Sequence, residues 1–155
     1  MTKLFYLSEI VKFAIEKEKE SIALYKELSE KVSNNNMKDL FHQLMLDEEK
    51  HEDFYVNLLK TVPQEQSPGV KENEEYDAYM QELIFTSRAV PHLRLENLTD
   101  IKSALDYAAA REKDSIVFYV GLKNYLPEHN KEKIDPIINE ESRHMAKLLF
   151  LKKHM

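Results

Sequence analysis

The chain is 155 residues long, carries a formal net charge of −6, and contains two glycines and no cysteine. That length suits one domain with a substantial core, and the negative charge argues against nucleic acid as a main partner. The lack of cysteine excludes disulfides, thiol catalysis and cysteine-ligated zinc or iron.

Glutamate, lysine, leucine and alanine dominate and β-branched runs are scarce, which points to long helices rather than a sandwich or barrel. No apolar run approaches the roughly 20 residues of a membrane span. The first 15 residues are interrupted by Lys3, Glu9 and Lys12, unlike the apolar core of a signal peptide. A single domain over 1–155, cytoplasmic and free of the membrane, is the expectation.

Ser8 is placed as the N-cap of a first helix over about 8–33. Val11, Ala14, Glu18, Ser21, Tyr25 and Leu28 recur three and four apart, the inward stripe of a packed helix. Glu16, Lys17, Lys19 and Glu20 fall off that stripe and are expected to face solvent. Asn34, Asn35 and Asn36 break the pattern, because asparagine favours caps and turns. A second helix is predicted over about 37–60, with Phe41, Leu44, Glu48, His51, Tyr55 and Leu58 inward.

Residues 61–69 carry Pro63, Pro68 and Gly69 and read as a loop. A short helix over about 72–88 presents Tyr76, Tyr79, Met80, Leu83 and Ile84 on one face, a packing or dimer surface. Residues 91–98 are irregular. Thr99 is placed as the cap of a third long helix over 99–125, with Leu105, Ala108, Glu112, Ser115, Tyr119 and Leu122 inward. After a turn at 126–129, a last helix over 130–153 buries Ile134, Ile137, Glu141, His144, Leu148 and Leu151. Pro136 within it implies either a kink or a restart capped by Asp135.

Short turns make antiparallel neighbours, and one long crossover joins two such hairpins. The result is an all-α four-helix bundle of ferritin-like connectivity, with an extra short helix in the crossover. The halves also repeat one another: Glu112 follows Glu18 by 94 positions, and Glu141-x-x-His144 follows Glu48-x-x-His51 by 93.

Glu18, Glu48, His51, Glu112, Glu141 and His144 all lie on stripes that should be apolar. A buried unpaired carboxylate costs several kcal/mol or takes up a proton, and four facing one another repel. The stripes carry no lysine or arginine, so two divalent cations are the natural neutralising partners. In each hairpin the carboxylates and histidine lie equally far from the turn, roughly 15 residues or about 22 Å along the helices. Glutamate and histidine three apart share one helix face and reach one metal. Mixed carboxylate and imidazole ligation suits iron or manganese better than zinc. The alternative is a duplicated bundle whose polar core is protonated or water-bridged.

Ala14–Glu18–Tyr25 and Ala108–Glu112–Tyr119, with Asp47-Glu48-x-x-His51 and Glu140-Glu141-x-x-His144, resemble the rubrerythrin branch of the ferritin-like family across all four main helices. The resemblance implies a di-iron site. Glu48 and Glu141 would bridge the irons, Glu18 and Glu112 would be terminal ligands, and His51 and His144 would cap one iron each. Rubrerythrin-like proteins reduce hydrogen peroxide, and ferritin-like relatives oxidise Fe(II) with O₂. Rubrerythrin also has a rubredoxin domain with four cysteines. This chain has none, so the electron donor is expected to be a separate protein. One turn after Glu112 stands Ser115, where rubrerythrin has a further ligand glutamate. The implied centre is therefore more symmetric, as in bacterioferritin.

Tyr25 and Tyr119, two turns from Glu18 and Glu112, are expected to support the ligands as buried hydrogen-bonding groups rather than to carry electrons. Ser21 and Ser115 are small and inward, and make room for metals and oxidant. Asp47 and Glu140 are placed either to orient a histidine or in solvent. His42, His92, His129 and His154 lack partners at ligand spacing. Three functions compete: a di-iron oxidoreductase reducing peroxide or O₂, an iron-storage protein with ferroxidase activity, and a non-catalytic metal-stabilised module. A homodimer is the expected assembly.

Overall fold

The computed structural model describes residues 7–62, 78, 79, 82 and 101–154. Among them run four long helices: α1 (Leu7–Lys31), α2 (Asn35–Thr61), α3 (Ile101–Leu122) and α4 (Glu128–Lys153). A single 3₁₀ turn, Lys123–Tyr125, follows α3. Each predicted long helix is present, with ends shifted by a few residues.

The shifts have local causes. Ser8, expected as a cap, lies inside α1 and is buried. Asn34 does cap α2: its backbone is extended, its side-chain oxygen accepts from Met37 N at 3.1 Å, and its carbonyl accepts from Lys38 N at 3.0 Å. One asparagine suffices as cap, so Asn35 and Asn36 enter the first turn of α2 and the helix starts before Met37. At its far end Thr61 Oγ1 donates to Leu58 O and Val62 N donates to Leu59 O. Pro127 occupies the cap position of α4, and its carbonyl accepts from both Asn130 and Lys131 N. The restart at Asp135 does not occur. α4 runs through Pro136, which is exposed together with Glu132, whose carbonyl loses its helical donor on the solvent-facing side of the helix.

α1 and α2 pair as one antiparallel hairpin and α3 and α4 as another. Lys123–Asp135 at 2.5 Å and Lys152–Asp106 at 2.6 Å tie the second hairpin along its edge. The hairpins face each other with α1 against α3, where Phe13 packs on Phe118 with ring centroids 5.0 Å apart. Two apolar clusters fill the bundle. One, with Ile10, Phe13, Tyr55, Phe118 and Ile134, fills the end where α1 and α4 begin. The other, with Leu28, Phe41, Leu44, Leu105 and Leu148, fills the end where α2 and α3 begin. A polar layer separates them.

Of the predicted crossover helix, Ala78, Tyr79 and Glu82 are helical. The rest of that segment, the loops at 63–69 and 91–98 and the Thr99 cap lie outside the described residues. No helix among the described residues is long and apolar enough to cross a membrane.

Asn34→Ala removes the side-chain oxygen that satisfies Met37 N at the start of α2 and is expected to cost about 1 kcal/mol of stability, read as a lower urea midpoint with unchanged slope.

Candidate metal centre

The polar layer is built one side chain per helical turn. α1 contributes Glu18, α2 Glu48 and His51, α3 Glu112, and α4 Glu141 and His144. None is more than 3 % exposed. The six form two overlapping groups. In the first, ligand atoms of Glu18, Glu48, His51 and Glu141 all lie within 4.8 Å of one another; in the second, so do those of Glu48, Glu112, Glu141 and His144. Glu48 and Glu141 belong to both.

Both imidazoles point the same way. His51 Nδ1 stands 2.8 Å from Glu141 Oε1, 3.3 Å from Glu48 Oε2 and 3.8 Å from Glu18 Oε2. His144 Nδ1 stands 3.0 Å from Glu48 Oε1 and 3.4 Å from Glu112 Oε1. The rings stack with centroids 6.1 Å apart. Their outer nitrogens face a second pair of carboxylates, Asp47 and Glu140; of the two alternatives read from the sequence, Asp47 takes the orienting one. Each serves the histidine of the opposite hairpin: His144 Nε2 hydrogen-bonds Asp47 Oδ2 at 3.0 Å, and Glu140 Oε2 lies 3.2 Å from His51 Nε2. The Glu140 contact is close but poorly directed, since His51 Nε2 makes no hydrogen bond among the described residues. Gln43 Nε2 in turn donates to Asp47 Oδ1 at 3.0 Å. A carboxylate on Nε2 keeps the proton there and leaves the Nδ1 lone pair facing the cluster.

The tyrosines cross in the same manner. Tyr25 from the first hairpin donates to Glu112 Oε1, and Tyr119 from the second donates to Glu18 Oε1. Burial, and then the negative charge of the glutamate each one touches or faces, raises both phenols well above their ordinary range, so they remain donors. Ser21 and Ser115 are buried one turn from Glu18 and Glu112.

Some placements were not legible. Lys17, expected in solvent, is 2 % exposed, because the α1–α3 contact covers the side of α1 next to the predicted stripe. Arg111, the residue before Glu112, is also buried, and its Nη2 donates to Glu20 Oε2 at 2.9 Å. Both basic residues are 94 positions apart, the same offset as the glutamates, and that was the available signal. Glu16, Lys19 and Glu20 are exposed as expected. His42, His129 and His154 are exposed and take no part in the cluster, while His92 lies outside the described residues.

Without cations the cluster balances its charge with protons. Burial, and then the charge of Glu48, raises Glu18 and Glu141 well above the carboxylate range. Burial also works to raise Glu48, but hydrogen bonds from Glu18, His144 and His51 overcome it and hold Glu48 low. Burial pulls His144 down, yet contacts with Glu112 and Glu48 win and raise it to about 10. His51 is raised in the same way by Glu141, Glu18 and Glu48.

The donor set fits metal. Glu18 Oε2, Glu112 Oε2 and Glu141 Oε1 are buried, and among the described residues they face only other members of the cluster. Carboxylate oxygens crowded together at that depth are costly unless something positive meets them. Four carboxylates and two inward imidazole nitrogens are a donor set that would neutralise and coordinate two divalent cations.

Fold and cluster together define a ferritin-like carboxylate bundle. The comparisons agree. A family profile described as Rubrerythrin matches residues 9–152, and the chain belongs to that family. A crystal structure from Thermotoga maritima, described as a ferritin-like diiron-carboxylate protein, superposes with a TM-score of 0.71 at 25% sequence identity, covering 99% of this chain and 98% of that one. Comparison with curated proteins gave no match.

The proton balance sets a pH dependence. His144 is raised from 6.5 to about 10 on folding, so its contribution to stability is complete below pH 6.5 and is lost as pH rises through about 10. The raised Glu18 and Glu141 act in the same sense. Metal-free protein is expected to melt at progressively lower temperature from about pH 7 to about 10. Mn(II), which takes the place of those protons, should flatten the curve. A metal-free melting temperature that stays level or climbs over that range contradicts the assignment.

Proposed function

We propose that the polar layer holds two iron ions and that the protein is a di-iron oxidoreductase of rubrerythrin type, reducing hydrogen peroxide or O₂. The observation that carries this reading is the sharing of Glu48 and Glu141 between two otherwise separate donor groups. A shared pair suits bridging carboxylates, with Glu18 and His51 completing one position and Glu112 and His144 the other. Iron held by these residues would supply the two electrons that, with two protons, convert peroxide into two waters.

The chain's own residues prepare the site. Tyr25 and Tyr119 each occupy one oxygen of a terminal glutamate, fixing the carboxylate and leaving its second oxygen free. Asp47 holds the His144 imidazole with Nδ1 inward, and Glu140 stands beside His51 Nε2. The apolar clusters on either side keep bulk water out, which protects a reactive centre from side reactions. Ser21 and Ser115 leave space where longer side chains would compete for a ligand position. A separate electron-donor protein returns the centre to its ferrous form.

Two experiments test the reading. Protein loaded anaerobically with Fe(II) should bind two ions. Glu48→Ala or Glu141→Ala should lose both ions, whereas Glu18→Ala should lose chiefly one. Retention of two ions by Glu48→Ala refutes the bridge. Stopped-flow mixing of the ferrous protein with peroxide, and separately with O₂, should show oxidation at least tenfold faster than free Fe(II) for the physiological oxidant. No acceleration with either removes the oxidoreductase assignment.

A further inference from the structure

The two hairpins exchange contacts in matched pairs. Tyr25 reaches Glu112 while Tyr119 reaches Glu18, and Asp47 meets His144 while Glu140 meets His51. A third exchange is half complete. Arg111 reaches across from α3 to Glu20 on α1. The residues at the corresponding places are Lys17 on α1 and Asp114 on α3, and no ion pair joins them. Lys17 Nζ has no hydrogen-bond partner among the described residues. It lies 5.9 Å from the centroid of Phe13 and 6.0 Å from that of Phe118, at the edge of an apolar cluster and one residue from Glu18.

A buried ammonium with no contact partner is expensive, and two aromatic faces offset only part of the cost. What remains nearby to balance it is the field of Asp114, Glu20 and Glu18, opposed by the Arg111 guanidinium. Coulombic interaction is mutual, and low-dielectric surroundings lengthen its reach. A charge held beside Glu18 therefore acts on whatever Glu18 binds.

We propose that Lys17 is an internal counter-cation of the metal centre, whose positive charge favours the reduced form of the bound iron pair. The inference rests on the redox reading above. Four carboxylates balance two divalent ions; each further positive charge that oxidation adds is then opposed by the ammonium. Net charge around an iron centre is one of the levers that set its potential. Lys17 is a positioning residue in this sense: it touches neither metal nor oxidant.

The test is a potentiometric titration of the iron-loaded protein, followed by ferric absorption and by EPR, on the native chain, K17M, K17Q and K17R. At the poise where the native centre is half reduced, K17M and K17Q should hold a ratio of reduced to oxidised form at least threefold lower, and K17R should match the native chain. Metal-free K17M should melt no lower than native, since it replaces an unpaired buried charge with an apolar chain of similar length. Titrations of K17M and K17Q that coincide with native, or a K17R curve displaced as far as theirs, overturn the role of Lys17 and leave the centre standing. A native chain that takes up no iron overturns the centre itself, and the proposal with it.

Discussion

Everything in this bundle answers to four carboxylates buried at one level. Glu18, Glu48, Glu112 and Glu141 are each at most 2 % exposed and converge from four helices. No arrangement of neutral side chains would tolerate that repulsion. The surroundings are consequently specialised. Two phenols donate to two of the carboxylates, two imidazoles wedge between them, and the metal-free centre retains protons that carboxylates ordinarily release. A stability-optimised bundle would place leucine at all six positions. That this one does not is the strongest physical argument that the layer exists to hold cations.

The reciprocity of the contacts has a mechanical meaning. Within each hairpin the helices meet through apolar packing, joined by His51 with Glu18 in the first and by His144 with Glu112 and two edge ion pairs in the second. Across the hairpins, the contacts nearest the centre are Tyr25 with Glu112, Tyr119 with Glu18, Asp47 with His144 and Glu140 with His51. Each half therefore orients the ligand side chains of the other. Neither hairpin alone presents either of the two donor groups, so cations bound there would clamp the two together. Binding free energy becomes folding free energy in such a design.

Much of this could be read from the residues because a duplicated sequence tests itself. A single Glu-x-x-His says little in a glutamate-rich chain, but the same motif recurring at the same distance after a matching glutamate fixes both the helix pairing and the level of the layer. The four long helices followed from the stripes in the same way. What stayed hidden was set by the contact between hairpins. Lys17 sits beside the stripe of α1, and only the approach of α3 decides that it is covered. The pairing of Asp47 with His144 rather than with the nearer-in-sequence His51 depends on α2 and α4 running antiparallel in one particular register. The continuity of α4 through Pro136 depends on Glu132 being exposed, which period alone does not specify.

The duplication is exact in the six donors and inexact around them, and the differences gather at one end. The layer's Glu18 end adjoins the cluster that contains Phe13, Phe118 and Tyr55, and Tyr55 stacks on Tyr119 at 5.1 Å. At the place that corresponds to Tyr55 in the other hairpin stands Leu148, equally buried. Lys17, in an apolar setting on the Glu18 side, corresponds to Arg111, which is ion-paired to a carboxylate open to water. The Tyr55 hydroxyl is raised by burial and by the charge of Glu18, so it adds a neutral dipole there and no anion. The two halves of the donor set thus have the same chemistry in different fields: one flanked by a phenol and an unpaired ammonium, the other by leucine and a neutralised guanidinium. Two ions held by this set would meet the same kinds of donor atom in unequal electrostatic surroundings.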